Sequence, residues 1–189
     1  MKKTILIVLG AILIIFGLLV PLTTTLVTFL LPETFAATAR IAPSSTNPMA
    51  VAAEVQRIQS QVVLDQVITN LNLGAEWGRK FKQAGDLPSA MCYAILKGSI
   101  RISQLPNTRL IEIGVFDDNK DEAAVIANKI AAVYLSLSPG ATVIESAEPN
   151  SKPVRPNKPL NIVLGLLVGS AFAGLGIFLI SVARKNKPS

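Results

Sequence analysis

The sequence predicts an α+β fold: a ferredoxin-like (βαββαβ) extracytoplasmic domain flanked by two transmembrane helices. Three observations lead there. Two long uncharged runs lie near the ends of the chain, Ile5 to Leu31 and Leu160 to Val182. All 12 acids fall between Glu33 and Glu148, inside those runs. The stretch between them reads strand, helix, strand, strand, helix, strand by its hydrophobic periods.

Composition narrows the function classes first. Of 189 residues, 50% are hydrophobic and 16% charged, with no histidine and a single cysteine. That removes most routes to a zinc site, a Ser/His/Asp triad, a Cys/His pair or a disulfide framework. No enzyme activity, cofactor or metal is expected. The net charge of +6 does not mark nucleic acid, because the excess sits at the ends, in Lys2, Lys3, Arg184, Lys185 and Lys187. Bases flanking apolar runs are a membrane signal.

The first apolar run has 27 residues and the second 23. At 1.5 Å rise per residue the second is about 34 Å long, enough to cross a hydrocarbon core of roughly 30 Å. The first contains Pro21, which predicts a tilted or kinked helix whose freed carbonyl is satisfied by Thr23, Thr24 or Thr25. A cleaved signal peptide is the alternative, with small residues at Ala36, Ala37 and Ala39. The run exceeds the 7 to 15 residues usual for a cleavable segment, which favours an anchor. The positive-inside rule then puts both termini in the cytoplasm and the middle outside. The expected organisation is a stub and first span over 1–32, an outer domain over 33–148, and a proline-rich strut over 149–159. A second span follows over 160–183 and a cytoplasmic tail over 184–189. The cytoplasmic parts are too short to hold a kinase or nucleotide-binding unit.

Within the outer domain, Phe35 to Ile41 reads as a strand, broken by the turn residues Ala42 to Pro48. Asn47-Pro48 is a helix start. Val51, Val55, Ile58 and Val62 form one stripe and Val63, Val67 and Leu71 an adjacent one, predicting a single amphipathic helix ended by Leu73-Gly74. A second helix is expected over Leu87 to Lys97. Ser99–Gln104 and Thr108–Phe116 form a hairpin whose bulky Ile111, Ile113 and Val115 share a face with Arg109. Asp117, Asp118, Asp121 and Glu122 then suit the positive end of a helix dipole. That helix carries Ile126, Ile130, Val133 and Leu137 beside Ala123, Ala127, Ala131 and Tyr134. Ala141 to Ala147 is the last strand.

The candidate functional residues are few. Pro153, Pro156 and Pro159 recur at the period of a polyproline II helix, a stiff strut into the second span. Lys152, Arg155 and Lys158 share another edge of it, either as solvated charges or as contacts for an anionic lipid-linked ligand. Gly165, Gly169 and Ala173 make a small-residue packing face in the second span, within the chain or between chains. Arg40, Arg79, Lys80, Lys82, Arg101 and Arg109 are interspersed with acids and read as ordinary surface. Trp77 reads as a core cap, and Cys92 as a small buried residue. Glu112 and Asp117 are five apart on a strand, on opposite faces, and make no catalytic pair.

A resemblance runs through these segments in order. Leu31 to Ile41 resembles the entry strand of the Wzz-type polysaccharide chain-length determinants, or polysaccharide co-polymerases. Glu54 to Leu73, Thr108 to Val115 and Ala123 to Tyr134, with Ala127-Asn128, are similar to that family's first helix, hairpin strand and second helix. Pro153, Pro156, Pro159, Gly165 and Gly169 resemble its proline-rich entry to the last span. The resemblance implies a bacterial inner (cell) membrane protein with its domain in the periplasm, and a non-catalytic homo-oligomeric scaffold. It also implies that this scaffold influences the length of lipopolysaccharide O-antigen or exopolysaccharide. Implied partners are further copies, a polysaccharide polymerase or export machinery, lipid-linked polysaccharide and membrane lipid, and not nucleic acid. The chain departs from the family between Leu73 and Ser99, where only 25 residues stand in place of a long helical hairpin. It is thus a short form. The competing expectation is a small membrane-anchored sensor or adaptor that binds an envelope protein or ligand.

Overall fold

The computed structural model describes residues 2–45 and 47–185. Thr46, in the expected turn, and Lys187, one of the flanking bases, lie outside the described residues. The chain divides into two units, a terminal one made of Met1–Glu33 with Arg155–Ser189 and a central one, Thr34–Val154.

The central unit is α+β. Its elements are β1 (Phe35–Ala42), α2 (Pro48–Ile58), α3 (Gln61–Asn70), α4 (Leu73–Lys80), α5 (Ser89–Ser99), β2 (Ile100–Gln104), β3 (Ile111–Asp117), α6 (Lys120–Leu137) and β4 (Thr142–Glu145). The strands form one sheet in the order β2-β3-β1-β4, and every neighbouring pair is antiparallel. One sheet face carries the core: Ala37, Ala39 and Ile41 of β1 stand beside Val115, Ile113 and Ile111 of β3 in register, and all are buried. Helix α6 turns Ala123, Ala127, Ala131, Ile126, Ile130 and Tyr134 inward. Small residues on both β1 and α6 leave room for the large aliphatics of β3 between the layers. The hairpin closes at Asn107, whose left-handed φ of 58° suits asparagine.

The region expected to hold one helix from Asn47 to Leu71 holds two, and a third starts at Leu73. Asn47 caps α2 by accepting from Met49 N–H at 3.0 Å. The helix then breaks at Gln59-Ser60, where Ser60 is extended with φ −69° and ψ 154°. The reason lies in the two apolar stripes. A continuous helix cannot bury both, because the second is out of phase with the first. After the break Val63, Leu64 and Val67 are buried, while Val62, the last residue of the first stripe, is 64% exposed. Asn72, left-handed at φ 50°, separates α3 from α4. Leu73, expected as a stop, instead opens α4 and is buried. The second predicted helix starts two residues later than expected, at Ser89, and runs directly into β2. The last strand is shorter than expected and its four side chains are exposed.

The terminal unit is a pair of helices, α1 (Lys2–Leu30) and α7 (Lys158–Lys185). Each is long and apolar enough to cross a membrane. Pro21 sits inside α1 without ending it. It removes the donor that would bond Gly17 O. The expectation that a threonine satisfies that carbonyl is corrected: Thr23 Oγ1 donates to Leu19 O and Val20 O, and Thr24 Oγ1 to Val20 O. Gly17 O instead lies against Gly169, 2.5 Å from where a Cβ on that glycine would stand.

Candidate functional site

The helix pair is built on glycine. A Cβ on Gly17 would stand 2.7 Å from Gly169 O, and one on Gly169 would stand 2.5 Å from Gly17 O. Gly10 and Gly176 repeat the reciprocal contact seven residues along each helix, at 2.7 and 2.5 Å. Real Cβ atoms do not approach so closely, so only a hydrogen fits and the backbones meet directly. Ala173 packs on Gly17, and Gly165 faces Thr24, whose Cβ is 3.0 Å from the site of a Gly165 Cβ. The face of Gly165, Gly169 and Ala173 therefore packs on α1 of the same chain. The residues on the other side of that face, Gly10 and Gly17, were not singled out from the sequence. Their spacing of seven matches that of Gly169 and Gly176 in reverse order, which is the signal that could have found them.

At one end of the pair, Asn161 Nδ2 donates to Thr28 Oγ1 at 3.3 Å, and Thr28, 2% exposed, donates on to Thr24 O. A cleft of about 340 Å³ opens there, lined by Thr23, Thr24, Val27, Thr28, Leu31 and Asn161. Lys158 Nζ pairs with Glu33 Oε1 at 2.6 Å and stands over the Phe29 ring at 5.3 Å. Of the three cations proposed to face an anionic ligand, Lys158 is thus spent inside its own unit. Lys152 and Arg155 are exposed. The three prolines occupy different settings. Pro153 and Pro156 are half-buried, the second after a cis peptide bond, and Pro159 lies in the first turn of α7. The strut expected over 149–159 gives way to helix at Lys158, because Asn157 Oδ1 caps Leu160 N–H at 3.2 Å and proline is tolerated in a first turn.

In the central unit, chemistry-bearing side chains gather around Lys80. Its Nζ lies 2.8 Å from Asp117 Oδ1, 2.5 Å from Asp118 Oδ1 and 3.2 Å from Glu122 Oε2. Trp77 Nε1 donates to the other oxygen of Glu122 at 2.6 Å. Burial alone would lower the Lys80 pKa, but hydrogen bonds to Asp117 and Asp118 outweigh it and hold the ammonium above its ordinary value. Burial raises Asp117, and the hydrogen bond from Asp117 lowers Asp118. The three carboxylates lie close enough to hold a cation, and the lysine of this same chain supplies one. The arrangement pins the end of α4 to the β3–α6 turn. The reading of Lys80 as ordinary surface is corrected on this point.

The remaining candidates are structural. Arg40 bridges Glu112 at 3.3 Å and Glu145 at 2.5 Å, across the rungs that pair β1 with β3 and β4. Arg79, Lys82, Arg101 and Arg109 are exposed. Trp77 is 2% exposed in the core. Burial pushes the Cys92 thiol up, and its Sγ lies 3.7 Å from Leu87 O, which leaves it a poor nucleophile.

No protein-family model matches the chain. It is similar to the capsular polysaccharide biosynthesis protein CapA of Staphylococcus aureus. With the protein of strain COL it is 26% identical over 167 residues, covering 84% of this chain and 73% of the relative. With that of strain Mu50 / ATCC 700699 it is 26% identical over 172 residues, covering 86% and 76%. A match of that length exceeds the central unit and so takes in part of the terminal unit as well.

Proposed function

We propose that this chain is a membrane-anchored, non-catalytic scaffold of the Wzz type that modulates the polymerisation or export of a capsular or related surface polysaccharide. The observation that carries the reading is the similarity to capsular polysaccharide biosynthesis proteins along most of the chain. The strand order supports it: β1 and β3 lie at the centre of an antiparallel sheet and β2 and β4 at its edges, as a ferredoxin-like split βαβ unit requires. Lys3 at the start of α1, and Arg184 and Lys185 at the end of α7, support an orientation with both helix ends cytoplasmic and the central unit outside. A scaffold role fits side chains whose charges are spent on one another, around Lys80 and around Arg40. In this reading copies of the central unit pack side by side and position a polymerase or its lipid-linked chain.

The test is deletion in the producing organism, followed by separation of the surface polysaccharide by size. The expected result is a shifted or broadened length distribution, or reduced surface polymer, restored by the wild-type chain. Identical length and amount in the deletion and complemented strains would overturn the proposal. If an envelope protein were then lost from its place, the result would favour a sensor or adaptor.

A further inference from the structure

Phe81 ends α4 with its ring 55% exposed, one turn after Trp77, which is 2% exposed. Its position in the fold is fixed. Lys80 and Trp77 tie this helix end to Asp117 and Glu122, and Asp117 pairs in register with Phe35, the first residue of β1. The central unit also closes at this sheet end, where Val154 N–H donates to Thr34 O at 2.8 Å. From Thr34 back to α1, and from Val154 on to α7, the chain has four residue steps, at most about 14 Å. The sheet end that bears Phe81 is thereby tethered on two sides to the apolar helices. Exposed Arg79 and Lys82 flank the ring in sequence, while Lys80 is engaged by Asp117, Asp118 and Glu122.

We propose that the tip of α4 docks on the lipid surface, with the Phe81 ring in the interfacial layer and Arg79 and Lys82 against anionic headgroups. An exposed aromatic between two cations on long aliphatic stems is suited to that layer. The proposal rests on the membrane-anchored reading above, and the experiment separates the two.

The full chain is reconstituted in nanodiscs of phosphatidylethanolamine and phosphatidylglycerol, with a nitroxide on Phe81→Cys, Met49→Cys or Leu18→Cys in turn. Cys92 is fully buried, and the unsubstituted chain serves as the labelling control. Collision with oxygen, which partitions into lipid, is compared with collision with a water-soluble nickel chelate. Positions 18 and 81 are expected to favour oxygen, and position 49, 84% exposed and beyond the far end of β1, to favour the chelate. Adding Arg79→Glu and Lys82→Glu should move position 81 toward the chelate. If position 18 lies in lipid while position 81 is as aqueous as position 49, the docking is overturned and the anchor stands. An aqueous position 18 overturns the anchor and the docking with it. A label at 81 that is immobile and shielded from both reagents overturns lipid docking in favour of a protein contact.

Discussion

The carboxamide of Asn128 makes both hydrogen bonds that a neighbouring strand would offer Ala147: Oδ1 accepts from Ala147 N–H at 2.8 Å, and Nδ2 donates to Ala147 O at 2.9 Å. The chain has just left β4, which ends at Glu145, and no rung of the sheet extends to this residue. A side chain on α6 thus holds the segment that leads out of the central unit, with Ala147 buried beneath it. Replacing Asn128 with leucine removes both partners from a half-buried backbone and should cost about 1 to 3 kcal/mol. Asn128→Asp keeps the acceptor, loses the donor and should fall between leucine and wild type. Chemical denaturation of the full chain in detergent, with exchange protection of the Ala147 amide, measures both.

Lys80 is the counterion of three carboxylates at a solvent-screened site, so Lys80→Gln should destabilise the central unit at pH 7 by up to about 1 kcal/mol. The sign with pH follows from the shifts. The folded pKa of Lys80 is raised, so its contribution is fully present below the ordinary lysine value of about 10.4 and is lost as pH rises through the folded value. In Lys80→Gln the uncompensated carboxylates gain stability on protonation instead. The gap between variant and wild type should then narrow as pH falls through the carboxylate range. Melting curves of the two proteins from pH 7 to 4 decide it; a gap that widens on acidification would contradict the arrangement.

Lys82 occupies a left-handed position, with φ 54°, just past the end of α4. Its N–H donates to Arg79 O at 3.1 Å, and Gln83 N–H donates to Gly78 O at 2.9 Å, the paired bonds of a Schellman cap. Glycine adopts that conformation without the Cβ penalty, so Lys82→Gly should stabilise the chain by roughly 0.5 to 1 kcal/mol. An unchanged or lower unfolding midpoint would refute the strain argument.

The glycine seam predicts a contrast within one helix. Gly169→Val and Gly176→Val force a side chain into opposing backbone and should weaken the α1–α7 pair by roughly 1 to 3 kcal/mol. Gly174→Val, with nothing within 4 Å of its Cβ, should be tolerated. Protease resistance and thermal aggregation of the three variants in detergent give the order.

Hydrophobic period made β1, β3 and α6 legible in the sequence, because each depends on one repeating contact face, and uncharged length did the same for α1 and α7. Ile111, Ile113 and Val115 alternate along β3, and Ile126 and Ile130 lie one turn apart on α6. What stayed hidden depends on long-range geometry. The phase slip between Ile58 and Val63 was visible, but not that it would be resolved by breaking the helix at Ser60. Lys80 and Asp117 are 37 residues apart, and no local pattern announces that they meet. Asn128 reads as a polar residue on an alanine-rich helix until the exit segment is laid beside it.

The reciprocal meeting of Gly10 with Gly176 and of Gly17 with Gly169 has a mechanical consequence. Two hydrophobic rods locked backbone to backbone at two levels, and pinned beyond them by Asn161 with Thr28 and by Lys158 with Glu33, tilt and turn as one piece. Those four glycines are used up on each other. The outer surface of this piece is mainly a coat of leucine, isoleucine and phenylalanine, such as Leu18, Leu22, Leu167 and Phe178.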